Sequence, residues 1–208
     1  TLLPPEMGNL IELKKLRISY NHFIKMTPVV GALTKLEALK ADNNQIQALI
    51  PEIGKLTRLK KLWLHKNKLL VVPPSVANLV FCKDLRLSHN QIESLPAEMG
   101  KMTALRQLKM PFNLLKTVPS DLGNLENLIE LTMQNNLLEK LPMDLGKLSR
   151  LEALIVDHNP SLASPPAASA ACHSASATAT SRNLTSMWTR RVQLVRRDGR
   201  DVSTLYGR

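Results

Sequence analysis

The chain has 208 residues, 44% of them hydrophobic, and a formal net charge of +11, a composition that excludes a wholly disordered polymer and leaves room for one large domain, or one and part of a second. No run of about eighteen apolar residues is present to form a membrane-spanning helix, and the two cysteines, Cys82 and Cys172, are too few and too far apart for a disulfide framework, which fits a reducing compartment. The positive balance favours an acidic partner: nucleic acid, anionic lipid or an acidic protein face.

Along the chain the dominant feature is a ladder of asparagines. Asn21, Asn44, Asn67, Asn90, Asn113, Asn136 and Asn159 are separated by six successive intervals of 23 residues, and a fixed period of this size marks a stacked-repeat architecture. Apolar residues stand eight, five and three positions before each asparagine: Leu13, Leu16 and Ile18, then Leu36, Leu39 and Ala41, then Leu59, Leu62 and Leu64, then Cys82, Leu85 and Leu87. The series continues with Leu105, Leu108 and Met110, with Leu128, Leu131 and Met133, and with Leu151, Leu154 and Val156. Because side chains alternate along an extended chain, each segment predicts a short strand with inward leucines. Successive strands predict a parallel sheet with a spacing of about 4.8 Å. The asparagine falls where the chain leaves the strand, and its amide suits backbone groups that the turn would otherwise bury unpaired.

The second half of each repeat carries an apolar residue and a proline, as in Val72-Pro73, Leu95-Pro96, Val118-Pro119 and Leu141-Pro142. An apolar-Gly-x-apolar run follows, as in Ile53-Gly54-Lys55-Leu56, Met99-Gly100-Lys101-Met102, Leu122-Gly123-Asn124-Leu125 and Leu145-Gly146-Lys147-Leu148. The proline is expected to end the strand's hydrogen bonding, and the glycine run to form a short convex helix or turn. In the second and third coils the proline comes one place late, at Thr27-Pro28 and Ile50-Pro51, which predicts reshaped loops there. Cys82 occupies a core leucine position and reads as a small buried hydrophobe.

The frame L-x-x-L-x-L-x-x-N resembles the leucine-rich-repeat family, and its 23-residue form resembles the intracellular Ras-group proteins of plants and protists and their animal scaffold relatives. The resemblance implies an α/β solenoid over residues 1–162: a curved, right-handed β/α superhelix with a parallel sheet on its concave face, seven strand-bearing coils following a partial first one. It also implies a cytoplasmic protein-binding module or signalling scaffold; no catalytic role, cofactor or small-molecule substrate is expected.

Counting back one period from Asn21 puts the preceding asparagine before residue 1, so the chain opens in mid-repeat and is expected to be a piece of a longer protein. At the other end, Asn159-Pro160-Ser161-Leu162 and Pro165-Pro166 resemble the closing coil of the family. Residues 163–181 form an Ala/Ser/Thr-rich tract read as a linker, and residues 182–208 a basic tail. From Pro160 onward there are seven arginines and no lysine. Leu184, Met187, Trp188, Val192 and Val195 would share one helical face, suited to an anionic membrane or a partner groove. A capping helix and an irregular basic tail are the plainer alternatives.

No phosphate loop, dinucleotide fingerprint, H-E-x-x-H pair or C-x-x-C occurs. His65, His89 and His158 lie in different coils, so no metal site is expected of them. What remains is the concave face. The outward column between the strand leucines reads Arg17, Lys40, Trp63, Arg86, Lys109, Thr132 and Ile155. Flanking columns add Lys15, Lys61, Asp84, Asp42, His65, Tyr20, Lys66, His89 and Phe112. An exposed indole among cations has the composition of an interface hot spot. Trp63, Arg86, Lys40 and Lys109 are therefore expected at the centre of a binding site that also includes Arg17, Tyr20, His65, His89 and Phe112. The expected partner is a protein with an acidic surface, and the resemblance implies a small GTPase or a phosphatase subunit. Two other readings compete: the regulatory repeat segment of a larger enzyme such as a kinase, cyclase or ubiquitin ligase, and a binder of anionic membrane or nucleic acid through the basic tail.

Overall fold

A computed structural model describes residues 2–162. The linker at 163–181, the basic tail at 182–208 and its amphipathic segment lie outside the described residues. Seven three-residue strands recur every 23 residues: β1 (Lys15–Arg17), β2 (Ala38–Lys40), β3 (Lys61–Trp63), β4 (Asp84–Arg86), β5 (Gln107–Lys109), β6 (Glu130–Thr132) and β7 (Ala153–Ile155). They form one parallel sheet in sequence order. Each residue pairs with the one 23 positions later, as in Leu39 with Leu62 and Lys40 with Trp63. Zero offset between coils follows from the constant repeat length.

Opposite the sheet lie seven five-residue 3-10 helices, from Pro5–Asn9 to Met143–Lys147. At about 3.0 residues per turn, five residues make fewer than two turns, and 3-10 geometry is confined to such short pieces. In the third coil Leu59, Leu62, Leu64, Leu69, Val72, Val76 and Leu79 are all buried between sheet and helices, and the neighbouring coils repeat the columns. Each side chain so buried stabilises by about 1.5–3 kcal/mol, and no coil can bury its own set without a neighbour. Cys82 lies in this core, fully buried, where burial pushes its thiol up to about 12.

Two expectations about the prolines are corrected. The prolines do not end the strands. The strand stops at residues such as Trp63, backbone bonds between coils run on only to Leu70, and Pro73 stands ten positions after Trp63 as the last extended residue before a 3-10 helix. Nor are the second and third loops reshaped. Their helices begin at Pro28 and Pro51, in register with those beginning at Pro74 and Ala97. The residue before each helix is extended in every case, with φ −85° and ψ 148° at Thr27 against φ −69° and ψ 148° at Pro73. Proline's fixed φ fits both the last extended residue and the first helical one, so moving it by one place leaves the path unchanged.

The glycine of the convex run serves close approach. A Cβ on Gly100 would stand 2.3 Å from the carbonyl oxygen of Asp121, and one on Gly123 2.3 Å from that of Asp144, each in the next coil.

Candidate functional site

The asparagine ladder builds the edge of the sheet face. From Asn44 to Asn159, each Oδ1 accepts from a backbone N–H of the preceding coil: Phe23 for Asn44, Leu69 for Asn90, Leu138 for Asn159. Each Nδ2 donates to the carbonyl three residues before it and to the equivalent carbonyl one coil earlier. Asn90, for example, reaches Leu87 at 2.9 Å and Leu64 at 3.0 Å. The Leu64 carbonyl therefore takes two donors, from Asn67 and Asn90. Asn21 departs from the expected pattern. It is exposed, and among the described residues its Nδ2 reaches Ile18 and Ser19 of its own coil; the matching position 26 residues earlier falls before residue 1.

One feature of this edge had no signal in the sequence. The residue before each ladder asparagine is left-handed, with φ between 54° and 56° at Tyr20, Asn43, Lys66, His89, Phe112, Asn135 and His158. Only two of the seven are asparagine, a residue that tolerates this region; for the rest it costs about 1–2 kcal/mol. From Asn44 onward the reversal turns the next side chain inward, where its bonds to the preceding coil offset the strain. It also sets the preceding side chains outward along the rim: Tyr20 is 81% exposed, and the His89 and Phe112 rings stack with centroids 4.3 Å apart.

At the centre of the open face Trp63 is half-buried, not exposed as expected. Its neighbours in register are Lys40 on β2 and Arg86 on β4. The Lys40 ammonium lies 3.4 Å from the ring centroid and the Arg86 guanidinium carbon 4.1 Å from it. The indole N–H donates to the Asp84 carboxylate at 2.8 Å, and Arg86 donates to both oxygens of the same carboxylate, at 3.0 and 3.1 Å. Trp63 is thus locked through its edge and flanked by cations from the strands on either side.

Carboxylates divide the basic face. Asp84 is buried and serves Trp63 and Arg86. Lys109 pairs with Glu130 at 2.8 Å, and Glu130 also accepts from Gln107. Asp42 is buried and accepts from Ser19 at 2.6 Å and Asn43 at 2.9 Å, with His65 Nε2 at 3.6 Å. Burial works to raise the Asp42 carboxyl, but the two hydrogen bonds and the His65 charge hold it below the usual carboxylate range. Burial, aided by nearby cations, holds His65 below its ordinary value against the pull of Asp42; burial likewise lowers His89, with Lys66 adding to it. The structure therefore brings Lys40, Trp63 and Arg86 together, places Lys109 two strands from Trp63 in an ion pair of its own, and keeps Tyr20, His89 and Phe112 on the rim. Asp42, Asp84 and Glu130 organise the site and were not singled out as members of it. The signal was available: partners 21 or 23 positions apart, such as Trp63 with Asp84 or Lys109 with Glu130, are neighbours on a sheet of this period.

On a flank of the fourth coil, Val80 and Phe81 are exposed where other coils carry Thr34-Lys35, Thr57-Arg58 or Ser149-Arg150. Among the described residues no cluster of His, Cys, Asp and Glu is arranged to hold a metal, and no helix is long and apolar enough to cross a membrane.

A family model described as a leucine-rich repeat region matches residues 4–116. The chain belongs to the leucine-rich-repeat family. Among solved structures, a leucine-rich-repeat protein of Leptospira interrogans is 29% identical, with a TM-score of 0.63 over 77% of this chain and 47% of that one. The ectodomain of the Arabidopsis thaliana receptor kinase GASSHO1/SCHENGEN3 is 31% identical, with a TM-score of 0.69 over 74% of this chain and 19% of its own. An internalin of Listeria monocytogenes is 26% identical, with a TM-score of 0.66 over 78% and 50%. The leucine-rich-repeat chain thus spans about half the length of the two bacterial proteins and about a fifth of the plant ectodomain. No curated protein matches the sequence significantly.

Proposed function

We propose that the open face of the sheet is the docking surface for a partner protein and that the chain works as a binding module. One observation carries the reading. Solubility gives no reason to place an indole on an open sheet face, yet Trp63 stands there, fixed by Asp84, Lys40 and Arg86. A side chain already held in one position loses little further entropy on binding, and aromatic and arginine side chains dominate interface energetics. The Arabidopsis ectodomain, solved in complex with CASPARIAN STRIP INTEGRITY FACTOR 2, supports a polypeptide ligand. The likeness of the 23-residue repeat to Ras-group proteins supports a cytoplasmic scaffold, with a small GTPase or a phosphatase subunit as the partner class.

The test is capture of partners from native cell extract at low salt and at about 0.3 M salt, where exposed charge pairs are largely screened. Wild type is compared with Trp63→Ala and Arg86→Glu. A discrete protein retained through the salt step by wild type and lost with both variants is the expected result. Recovery of the same proteins by all three would refute the open face as the docking surface.

A further inference from the structure

The cations of the open face fall into two classes. Arg86 and Lys109 have carboxylates of their own, Asp84 and Glu130. Lys15, Arg17, Lys40 and Lys61 have none: the ion pairs among the described residues leave all four out. The four lie together on β1, β2 and β3. In register, Lys15, Ala38 and Lys61 form one column, and Arg17, Lys40 and Trp63 the next. With strands about 4.8 Å apart and alternate residues about 6.6 Å apart along a strand, the four side chains rise from a field of about 10 by 7 Å. Between Lys15 and Lys61 in their column stands Ala38, whose side chain is a single methyl. The carboxylates nearest in sequence are engaged: Asp42 with Ser19 and Asn43, Glu37 with Lys60. Burial and the repulsion of Arg17 and Lys61, against the pull of Asp42, hold the Lys40 ammonium below its ordinary value.

We propose that this cradle over Ala38 is a phosphate subsite of the docking face, taking one phosphorylated side chain of an extended partner segment whose remaining residues cross β4 to β7. The inference rests on the open face being the docking surface. A phosphomonoester carries a charge of about −1.5 to −2 and three acceptor oxygens in one compact group, which suits four cations on two adjacent columns of the sheet; a single carboxylate returns one charge. The unpaired field is only three strands wide. On the same two columns β4 to β7 present Asp84, Arg86, Gln107, Lys109, Glu130, Thr132, Ala153 and Ile155, in which both cations are already paired. A polyanion such as nucleic acid would need free cations to continue along its track; a phosphopeptide needs them at one end only.

Trp63 reports on the subsite, because an anion that draws Lys40 away changes the surroundings of the indole. In the full chain carrying Trp188→Phe, Trp63 is the one remaining tryptophan. Its fluorescence is titrated with acetyl-glycyl-O-phosphoseryl-glycinamide, with the seryl and aspartyl versions of the same peptide, and with a thymidine oligonucleotide at equal phosphate concentration. The phosphopeptide is expected to saturate with an affinity at least about tenfold above the other two peptides. Lys15→Ala with Lys61→Ala should weaken it at least about tenfold, and Lys109→Ala by less than about twofold. Ala38→Glu keeps every cation but fills the cradle with a carboxylate, and should abolish the response. No saturation, equal response to the aspartyl peptide, tighter binding of the oligonucleotide, or an unimpaired Ala38→Glu variant would each overturn the proposal. Partner capture separates the two readings. Loss with Trp63→Ala but not with Lys15→Ala and Lys61→Ala overturns the phosphate subsite alone, and capture insensitive to all of them overturns the docking face as well.

Discussion

Replacing Asn90 by alanine tests the ladder where it is best formed. The change removes the one acceptor that the buried Leu69 N–H has among the described residues, at 3.0 Å, and one of the two donors to each of the Leu64 and Leu87 carbonyls. Those carbonyls keep their second donors, Asn67 and Asn113. One stranded donor costs about 1–3 kcal/mol and each of the two lost hydrogen bonds about 0.5–1.5 kcal/mol, for a total of about 2–6 kcal/mol. Asn21 makes two exposed bonds within its own coil, so Asn21→Ala should cost less than about 1 kcal/mol. Asn90→Asp keeps the acceptor for Leu69 but turns a carboxylate oxygen toward two carbonyls, and should be at least as damaging as alanine. Urea unfolding followed by circular dichroism measures all three. Equal losses from Asn21→Ala and Asn90→Ala would show that the bonds between coils contribute nothing beyond local turn stability.

Three further outcomes are expected. Gly100→Ala would ordinarily favour a helix by about 0.5–1 kcal/mol, but its Cβ meets the Asp121 carbonyl at 2.3 Å; overpacking should win, with a net loss of about 1–2 kcal/mol in the same urea assay. In a Cys172→Ser chain, Cys82, fully buried and with its thiol pushed up to about 12, should react with a thiol reagent no faster than the protein unfolds. Labelling at the rate of a free thiol would place it outside the core. Thermal stability should fall as pH drops below the ordinary histidine value of 6.5, because His65 and His89 are held below it and the unfolded chain takes up protons first. The loss should level off below the folded values, and His65→Gln with His89→Gln should flatten the slope. A second fall near the ordinary aspartate value of 3.8 follows as protonation of Asp42 removes the stability its ionised form supplies.

The open face shows how charge is misread from columns. Composition alone presents Lys40, Arg86 and Lys109 as equivalent attractors for an acidic surface. Two of them are neutralised by residues 21 positions away or on the same strand, Glu130 for Lys109 and Asp84 for Arg86. The unpaired charge lies on β1 to β3 instead, with Lys15, Arg17 and Lys61 joining Lys40. The exposed tryptophan of the sequence reading is likewise a half-buried one, because Asp84 ties down its N–H.

The 23-residue interval by itself determined the coil count, the strand positions, the zero-offset register and the inward set of leucines, since a constant period forces equivalent residues into line. It also determined the role of the ladder asparagines, whose short amide can donate to two carbonyls and accept from an N–H at once. Only the tertiary structure decided the rest. The left-handed residue before each asparagine has no common side chain to betray it, because the demand is on the backbone and is met by the bonds that follow. The even path at Pro28 and Pro51 reflects a φ that two adjacent positions share. Which cations are free depends on carboxylates brought within 3 Å or so from the same strand or the next coil, a distance that a sequence column does not contain.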